Sequence, residues 1–177
     1  DIWTAIAFAF QPAESQLMAR APRHPKLVKL ADWGVGVYSY CYMGMLQTFL
    51  CWVMFFQVPS QSVHGPTVYY WTLVMGQIAA ALSTTTERQS LLVYGLPNAV
   101  LGFAIVFEIF LGLISIYSAF MQGVFDTCAL PWDLLLKPIS ALVAIALVEE
   151  CRKHVFRVLE AQGGCEWVLG PAQGGLQ

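Results

Sequence analysis

Charged residues are scarce in this chain of 177 residues: only 11% are Asp, Glu, Lys or Arg, and residues 33–86 contain none. Water-soluble domains carry roughly 25% charged residues. Hydrophobic residues make up 58% of the chain. This balance excludes an ordinary water-soluble domain. It predicts an all-α fold, a membrane helix bundle, because a helix needs ~20 apolar residues to cross a bilayer.

Motifs of metal and redox sites are absent as well. The sequence contains no CxxC and no HExxH, and its three histidines are scattered. The five cysteines form no disulfide framework, since Cys128 alone is predicted to lie in an outer loop. The net charge of −2 argues against a nucleic-acid partner. We therefore expect no resident metal and no cofactor held by this chain.

The interruptions of the apolar sequence predict one partial helix and four spans. The stretch V-P-S-Q-S-V-H-G-P-T ends one helix and permits a turn, because it holds two prolines and a glycine. The predicted elements are a partial helix at about 1–18 and antiparallel transmembrane helices near 33–57, 67–86, 98–120 and 132–157. The apolar opening without a Met indicates a fragment, and residues 158–177 are predicted to form a disordered cytoplasmic tail.

The basic residues predict the orientation in the membrane. Eight of the nine Lys and Arg residues, all but Lys137, fall on one side of the predicted spans. Cytoplasmic loops carry an excess of Lys and Arg. Residues 86–97 and the C-terminus are therefore predicted to be cytoplasmic, and 58–66 to lie outside.

Three oxygen-bearing side chains fall inside or near the predicted spans. Glu108 is about ten residues from the cytoplasmic end of its span, and so roughly 15 Å deep. Gln77 lies near the middle of another span, and Asp1 opens the partial helix. Intramembrane carboxylates mark ion paths, and hard cations prefer several oxygen ligands. Asp1, Gln77 and Glu108 are therefore candidate cation-binding residues; the alternative is that Glu108 and Gln77 only hydrogen-bond neighbouring helices.

Two further features are interpreted as structural. The run E-E-C-R-K-H-V-F-R at 149–157 is interpreted as a solvated extension of the last helix. Small residues let membrane helices approach closely. Six intramembrane glycines are predicted to serve this role: Gly34, Gly36, Gly44, Gly76, Gly102 and Gly112.

Several motifs resemble type II P-type cation-transporting ATPases, in the region of their membrane helices six to ten. The opening D-I-W-T-A-I-A-F-A-F and the following A-E-S-Q-L-M-A-R-A-P-R-H-P-K resemble helix six and its loop in the sodium/potassium and proton/potassium branch. Y-C-Y-M-G-M-L-Q at 40–47 resembles Y-G-Q-I-G-M-I-Q of helix seven, and V-E-E-C-R-K at 148–153 resembles the end of helix ten. The resemblance covers about residues 1–157.

The resemblance implies roles for the three candidate residues. Asp1 matches a helix-six aspartate that coordinates cations, Gln77 matches a helix-eight cation position, and Glu108 matches a helix-nine glutamate of the sodium-specific site. It also implies a cation translocase that exchanges Na⁺ or H⁺ for K⁺. The Mg-ATP chemistry is then expected in cytoplasmic domains outside this chain, because the D-K-T-G loop is absent here. The chain alone is not expected to hydrolyse ATP.

The chain also departs from the branch. Ala80 replaces the aspartate of the helix-eight Q-x-A-D pattern, and Thr4 replaces a proline. The short loop at 58–67 argues against an accessory β-subunit. The expected partners are the lipid bilayer, transported monovalent cations and the rest of the pump, in a multi-pass protein of the plasma membrane.

Two other functions stay open at this point. One is a Ca²⁺ pump of the endoplasmic reticulum, which the short outer loop and A-L-S-T-T-T-E-R-Q-S at 81–90 favour. The other is a non-catalytic membrane scaffold remnant.

Overall fold

The computed structural model describes residues 2–12, 33–59, 62–86 and 89–161, and every regular element in these ranges is a helix. The helices are α1 (Ile2–Ala7, extended by a 3₁₀ turn at Phe8–Phe10), α2 (Trp33–Phe56), α3 (Gly65–Thr84), α4 (Leu91–Tyr94), α5 (Ala99–Tyr117), α6 (Ala119–Phe125) and α7 (Trp132–Ala161). Within α2, the segment Val37–Gly44 is a π-helix. The all-α prediction is confirmed.

The four long helices α2, α3, α5 and α7 alternate in direction. Leu91, the first residue of the short helix α4 that precedes α5, donates its backbone N–H to Glu150 in the second half of α7 at 2.9 Å. At the opposite end Cys128, just before α7, donates its backbone N–H to the Thr67 hydroxyl at 3.0 Å. The described residues of the 58–66 and 86–97 connections therefore lie at opposite ends of the bundle, as the predicted antiparallel topology requires.

Helix α3 forms the centre of the bundle. It packs most extensively on α7, next on α2, and at one crossing on α5. Its buried residues include both apolar and small polar side chains: Gly65, Thr67, Val68, Trp71, Thr72, Val74, Met75, Gly76, Ile78, Ala79 and Ser83. A helix surrounded by other helices can carry threonine and glycine, because its surface meets protein and not hydrocarbon.

Two of the described helices, α2 and α5, are apolar and long enough to cross a bilayer. Only 17% and 22% of their apolar stretches are buried within the chain, so they are not the enclosed core helices of a water-soluble protein. Helices α3 and α7 have sufficient length but more polar residues. That α3 and α7 also cross the bilayer stays a prediction.

Two helix ends differ from those predicted. The first helix ends at Phe10, not near residue 18, because Gln11 is extended (ψ 122°) before Pro12, and a proline disfavours helix in the preceding residue. Residues 13–18 lie outside the described residues. The last helix continues to Ala161, so residues 158–161 of the predicted tail are helical, through a sequence of good helix formers. Residues 162–177 are outside the described residues.

The predicted helix 98–120 is divided into α5 and α6 at Ser118, whose ψ of 124° is extended. Side chains stabilise this break. Gln122 donates its amide to the Ile116 carbonyl at 2.6 Å, and the Tyr117 hydroxyl donates to the Leu130 carbonyl at 2.8 Å. The Ile116 carbonyl lies in the last turn of α5, where no further helical turn supplies an N–H donor, and the Gln122 amide takes that place.

Candidate cation site and the ends of the bundle

Glu108 lies on the inward side of α5. The buried residues of this helix are Leu101, Ala104, Gly112 and Ile116, and Glu108 falls between them at helical spacing. It is nine residues from Ala99, or about 14 Å along the helix. Its side chain is half-buried. The carboxylate is therefore deep in α5 and turned toward other helices.

Helix α1 packs beside the first half of α5. Asn98 caps α5 by accepting the Leu101 N–H at 3.1 Å, and its amide donates to the Ala7 carbonyl at 2.8 Å. Ala7 packs with Leu101 and Ala104 in a small apolar cluster separate from the main core. Further along, Trp3 meets Phe107 edge to face at 5.8 Å. The start of α1 therefore lies at about the level of Glu108.

The structure gives fewer contacts for the other two candidate residues, Gln77 and Asp1. Gln77 is half-buried on α3, seven residues from Thr84, or about 10 Å from the end of α3 that corresponds to the start of α5. It therefore lies within about a turn of the depth of Glu108, on an adjacent helix. Asp1 lies outside the described residues, although α1 begins at the next residue.

Close packing brings α3 and α5 together at a glycine. A Cβ added to Gly112 would lie 2.7 Å from the Trp71 ring, so only glycine fits there without movement. The Trp71 indole N–H donates to the Leu135 carbonyl of α7 at 3.0 Å, which fixes the ring. A Cβ at Gly76 would likewise lie 2.9 Å from Gln47 of α2. The predicted packing role is confirmed for these two glycines.

The packing role is wrong for Gly34 and Gly36, since no described atom lies within 4 Å of a Cβ built there. Both glycines occur in the first turn of α2.

The run at 149–157 is not a simple solvated extension. Glu149 and Lys153 are both 0% exposed, and together with Glu150 and Arg152 they form what we term the α7 charge cluster. Glu149 accepts a hydrogen bond from the Tyr38 hydroxyl of α2 at 3.0 Å and is paired with Arg152 at 3.0 Å. The buried ions are possible because each has charged or polar partners.

The same cluster binds the connection that follows α3. Lys153 donates to the Thr86 hydroxyl at 2.9 Å and lies 3.6 Å from Glu150. Burial alone would raise the pKa of Glu150, but hydrogen bonds from Ser90 and Leu91 and the nearby Lys153 ammonium hold it below its usual range. The cluster therefore joins three parts of the chain at one end of the bundle: α2, the residues that follow α3, and the second half of α7.

Sequence reasoning missed the cluster because its partners are distant along the chain. Tyr38 and Glu149 are 111 residues apart, and Thr86 and Lys153 are 67 apart. One signal was available, namely two carboxylates and two cations within five residues at i, i+3 spacing.

Comparison with known proteins relates the chain to ion pumps. The family model "Cation transporting ATPase, C-terminus" matches residues 1–155. Potassium-transporting ATPase alpha chain 1 of Xenopus laevis is 26% identical over 86% of this chain and 19% of its own length. Sodium/potassium-transporting ATPase subunit alpha-B of Artemia franciscana is 24% identical over 89% of this chain and 20% of its own length.

A shorter match has higher identity. Potassium-transporting ATPase alpha chain 2 of Oryctolagus cuniculus is 39% identical over 67 residues, or 38% of this chain and 6% of its own length. Taken with the two longer matches, these comparisons show that the chain spans at most about a fifth of the length of such relatives.

Proposed function

The chain belongs to the C-terminal membrane region of type II P-type cation-transporting ATPases, and on this premise we propose that it helps to move ions in a pump that exchanges Na⁺ or H⁺ for K⁺. The proposed ions are suggested by the relatives, which are named as potassium-transporting and sodium/potassium-transporting ATPases. We place the pump in the plasma membrane, with the endoplasmic reticulum as the location under the calcium-pump alternative.

The observation that carries the proposal is the inward position of Glu108 near the middle of α5. A carboxylate on that face attracts a cation or carries a proton in a region where water screens charges weakly. Gln77, at similar depth on α3, is proposed to supply an amide oxygen, and Asp1 a second carboxylate. Ala80 contributes no such group, so we propose a site with fewer carboxylates than the branch pattern.

ATP hydrolysis is assigned to parts of the pump outside this chain. Phosphoryl transfer needs a nucleophile and a Mg²⁺ site that are held together with the nucleotide. The phosphorylation motif D-K-T-G does not occur in these 177 residues. The chain's proposed role is to support and complete the ion path while phosphorylation elsewhere drives a two-state change of the helices.

The test is made in the intact pump that the proposal requires. Glu108→Gln preserves the shape but removes the titratable charge, so the apparent affinity for the cytoplasmically bound cation should fall within about tenfold, or ~1.4 kcal/mol. Transport is measured against cation concentration and normalised to surface protein. Ser115→Ala on the same helix is the matched control, because that hydroxyl donates within its own helix to Leu111.

A second variant separates an ionic role from an anchoring role. Glu108→Leu should lower the apparent cation affinity as Glu108→Gln does, with little change in surface expression. If expression falls only with the leucine, the side chain anchors a neighbouring helix. Unchanged cation and pH dependence in Glu108→Gln would contradict the proposed site.

Two further measurements distinguish the alternative functions from the proposed one. Turnover stimulated by Ca²⁺ and not by K⁺ would favour the calcium pump. A coding sequence upstream of Asp1 with no continuous frame to D-K-T-G would favour the scaffold remnant. The short 58–67 loop leads us to propose that no β-subunit is needed, which co-purification from cells would test.

A further inference from the structure

A cysteine and a histidine meet at the end of the bundle opposite the α7 charge cluster. His64 is the last residue before α3, and Cys128 lies in the loop between α6 and α7. The His64 Nδ1 and the Cys128 Sγ are 3.1 Å apart. Both side chains are half-buried, and so are within reach of a small reagent. The pair is remote from Glu108 and Gln77 and has no part in the proposed ion path.

Two other groups lie beside the sulfur. The Thr67 hydroxyl oxygen is 3.4 Å from Sγ, and it accepts the Cys128 backbone N–H at 3.0 Å. Because the thiol hydrogen is given to the Val63 carbonyl, the Thr67 hydroxyl is the donor in its contact with the sulfur. The Val63 carbonyl is 3.3 Å from Sγ and accepts the thiol proton in the resting state. The loop is thereby held on the first turn of α3.

Groups that typically activate cysteines lie beside the Cys128 sulfur. His64 and Thr67 belong to the N-terminal end of a helix of 20 residues. The N-terminal end of a helix carries partial positive charge, and an adjacent imidazole accepts a proton from a thiol. A thiolate at Cys128 would therefore have an imidazolium, a hydroxyl donor and a helix N-terminus beside it. These are the features that make a cysteine nucleophilic.

We propose that Cys128 is a reactive thiol that exchanges with low-molecular-weight disulfides, activated by His64. The proton passes from Sγ to Nδ1, and the thiolate attacks one sulfur of the small disulfide. A Cys128–ligand S–S bond forms as the original S–S bond breaks. The second half leaves as a thiolate and takes up the proton from His64. No further oxidant is consumed, because the disulfide bond is only exchanged.

Disulfide chemistry fits the arrangement better than metal binding does. In the described part of the chain, no three His, Cys, Asp or Glu side chains gather in a way that could hold a metal ion. Zn²⁺ in proteins takes three or four such ligands. Once modified, the sulfur no longer carries the hydrogen that it donates to the Val63 carbonyl, so the α6–α7 loop loses one of its contacts with the residues before α3.

The experiment compares two cysteines in the same full chain, purified in detergent. The chain is exposed to glutathione disulfide, and rates at Cys128 and Cys151 are followed by mass spectrometry of peptides. Cys151 is the internal control, because it is exposed on α7. Cys128 should react about tenfold faster although it is less exposed, as expected for a thiol beside an imidazole. In SDS, where the fold is lost, the two rates should converge.

Variants then test the activating group. His64→Gln should bring the rate of Cys128 down to about that of Cys151 and leave Cys151 unchanged. Thr67→Val should slow Cys128 less, and Thr67→Ser should restore the rate. If His64→Gln fails to fold, the unaltered chain still tests the proposal, through the ratio of the Cys128 rate to the Cys151 rate before and after unfolding in SDS. Cys128 that reacts no faster than Cys151 before unfolding, or is indifferent to His64→Gln, overturns the proposal.

Discussion

Removing one hydroxyl from Tyr38 should measurably weaken the attachment of α2 to α7. The Tyr38 hydroxyl donates to the fully buried Glu149 carboxylate at 3.0 Å. The Arg152 guanidinium lies over the same ring, 5.0 Å from its centre. Tyr38→Phe deletes the hydrogen bond but keeps the ring and its contact with Arg152. The substitution therefore isolates one interaction of the α7 charge cluster.

The magnitude follows from the charge on the acceptor. A hydrogen bond to a charged group contributes about 1.5–3 kcal/mol to stability. Glu149 keeps its pairing with Arg152, so the lower half of that range applies, about 2 kcal/mol. For chains of this size 1 kcal/mol corresponds to a change of roughly 2–4 °C in melting temperature. Tyr38→Phe should therefore lower Tm by about 4–8 °C.

The assay is thermal unfolding of the full chain in detergent, followed by circular dichroism. Tyr40→Phe is the matched control: it removes the same atom from the same π-helical segment, where Tyr40 is 80% exposed. Its Tm should change by less than about 1 °C, since exposed substitutions have small effects. In a Glu149→Gln background, Tyr38→Phe should cost less, because the acceptor is then neutral.

Equal effects of Tyr38→Phe and Tyr40→Phe would refute the reasoning. So would a full 4–8 °C loss from Tyr38→Phe in the Glu149→Gln background, because the loss would then be independent of the carboxylate charge.

Two further predictions concern how α5 is held. Gly112→Ala should destabilise the chain by about 1–3 kcal/mol, because the new Cβ would force the Trp71 ring from its place. Gly123→Ala is the control and should not destabilise the chain, because the space around that glycine is open. Unfolding in detergent measures both variants. Asn98→Ala should lower the free energy of unfolding by about 1 kcal/mol through loss of the α5 cap, and further through loss of the bond to Ala7. Ser118→Ala should be near neutral, because the Ser118 side chain does not cap α6. A similar loss of stability in both variants would contradict this prediction.

Helix existence was predictable from the sequence, but helix ends were less so. Residues 33–57 and 98–120 are long and mostly apolar, and both ranges are helical near the expected positions. The break at Ser118 escaped prediction, because the bonds that stabilise it, such as that of Tyr117 with Leu130, join residues across a loop. The π-helical segment in α2 begins directly after Gly36 and ends at Gly44, but glycines at these positions do not by themselves specify a π-helix.

The candidate cation site was predictable only in its parts. A lone carboxylate in an apolar run indicated Glu108, and helical spacing shows that it shares a side with buried residues. The relative depth of Gln77 depends on how α3 and α5 cross, which Trp71 and Gly112 decide. Contacts between distant residues, such as His64 with Cys128, leave no spacing pattern and could not be inferred from the sequence.

The central position of α3 has a consequence for biogenesis. Helix α3 is synthesised second among the four long helices, yet its most extensive contacts are with α7, which is synthesised last. Until α7 emerges from the ribosome, the side of α3 that includes Trp71 lacks its principal partner. The growing chain must therefore keep α3 beside α2 and shielded from lipid while α5 is inserted. Completion of the bundle depends on α7, so cellular quality control would meet a nascent chain whose core is open until that helix has been synthesised.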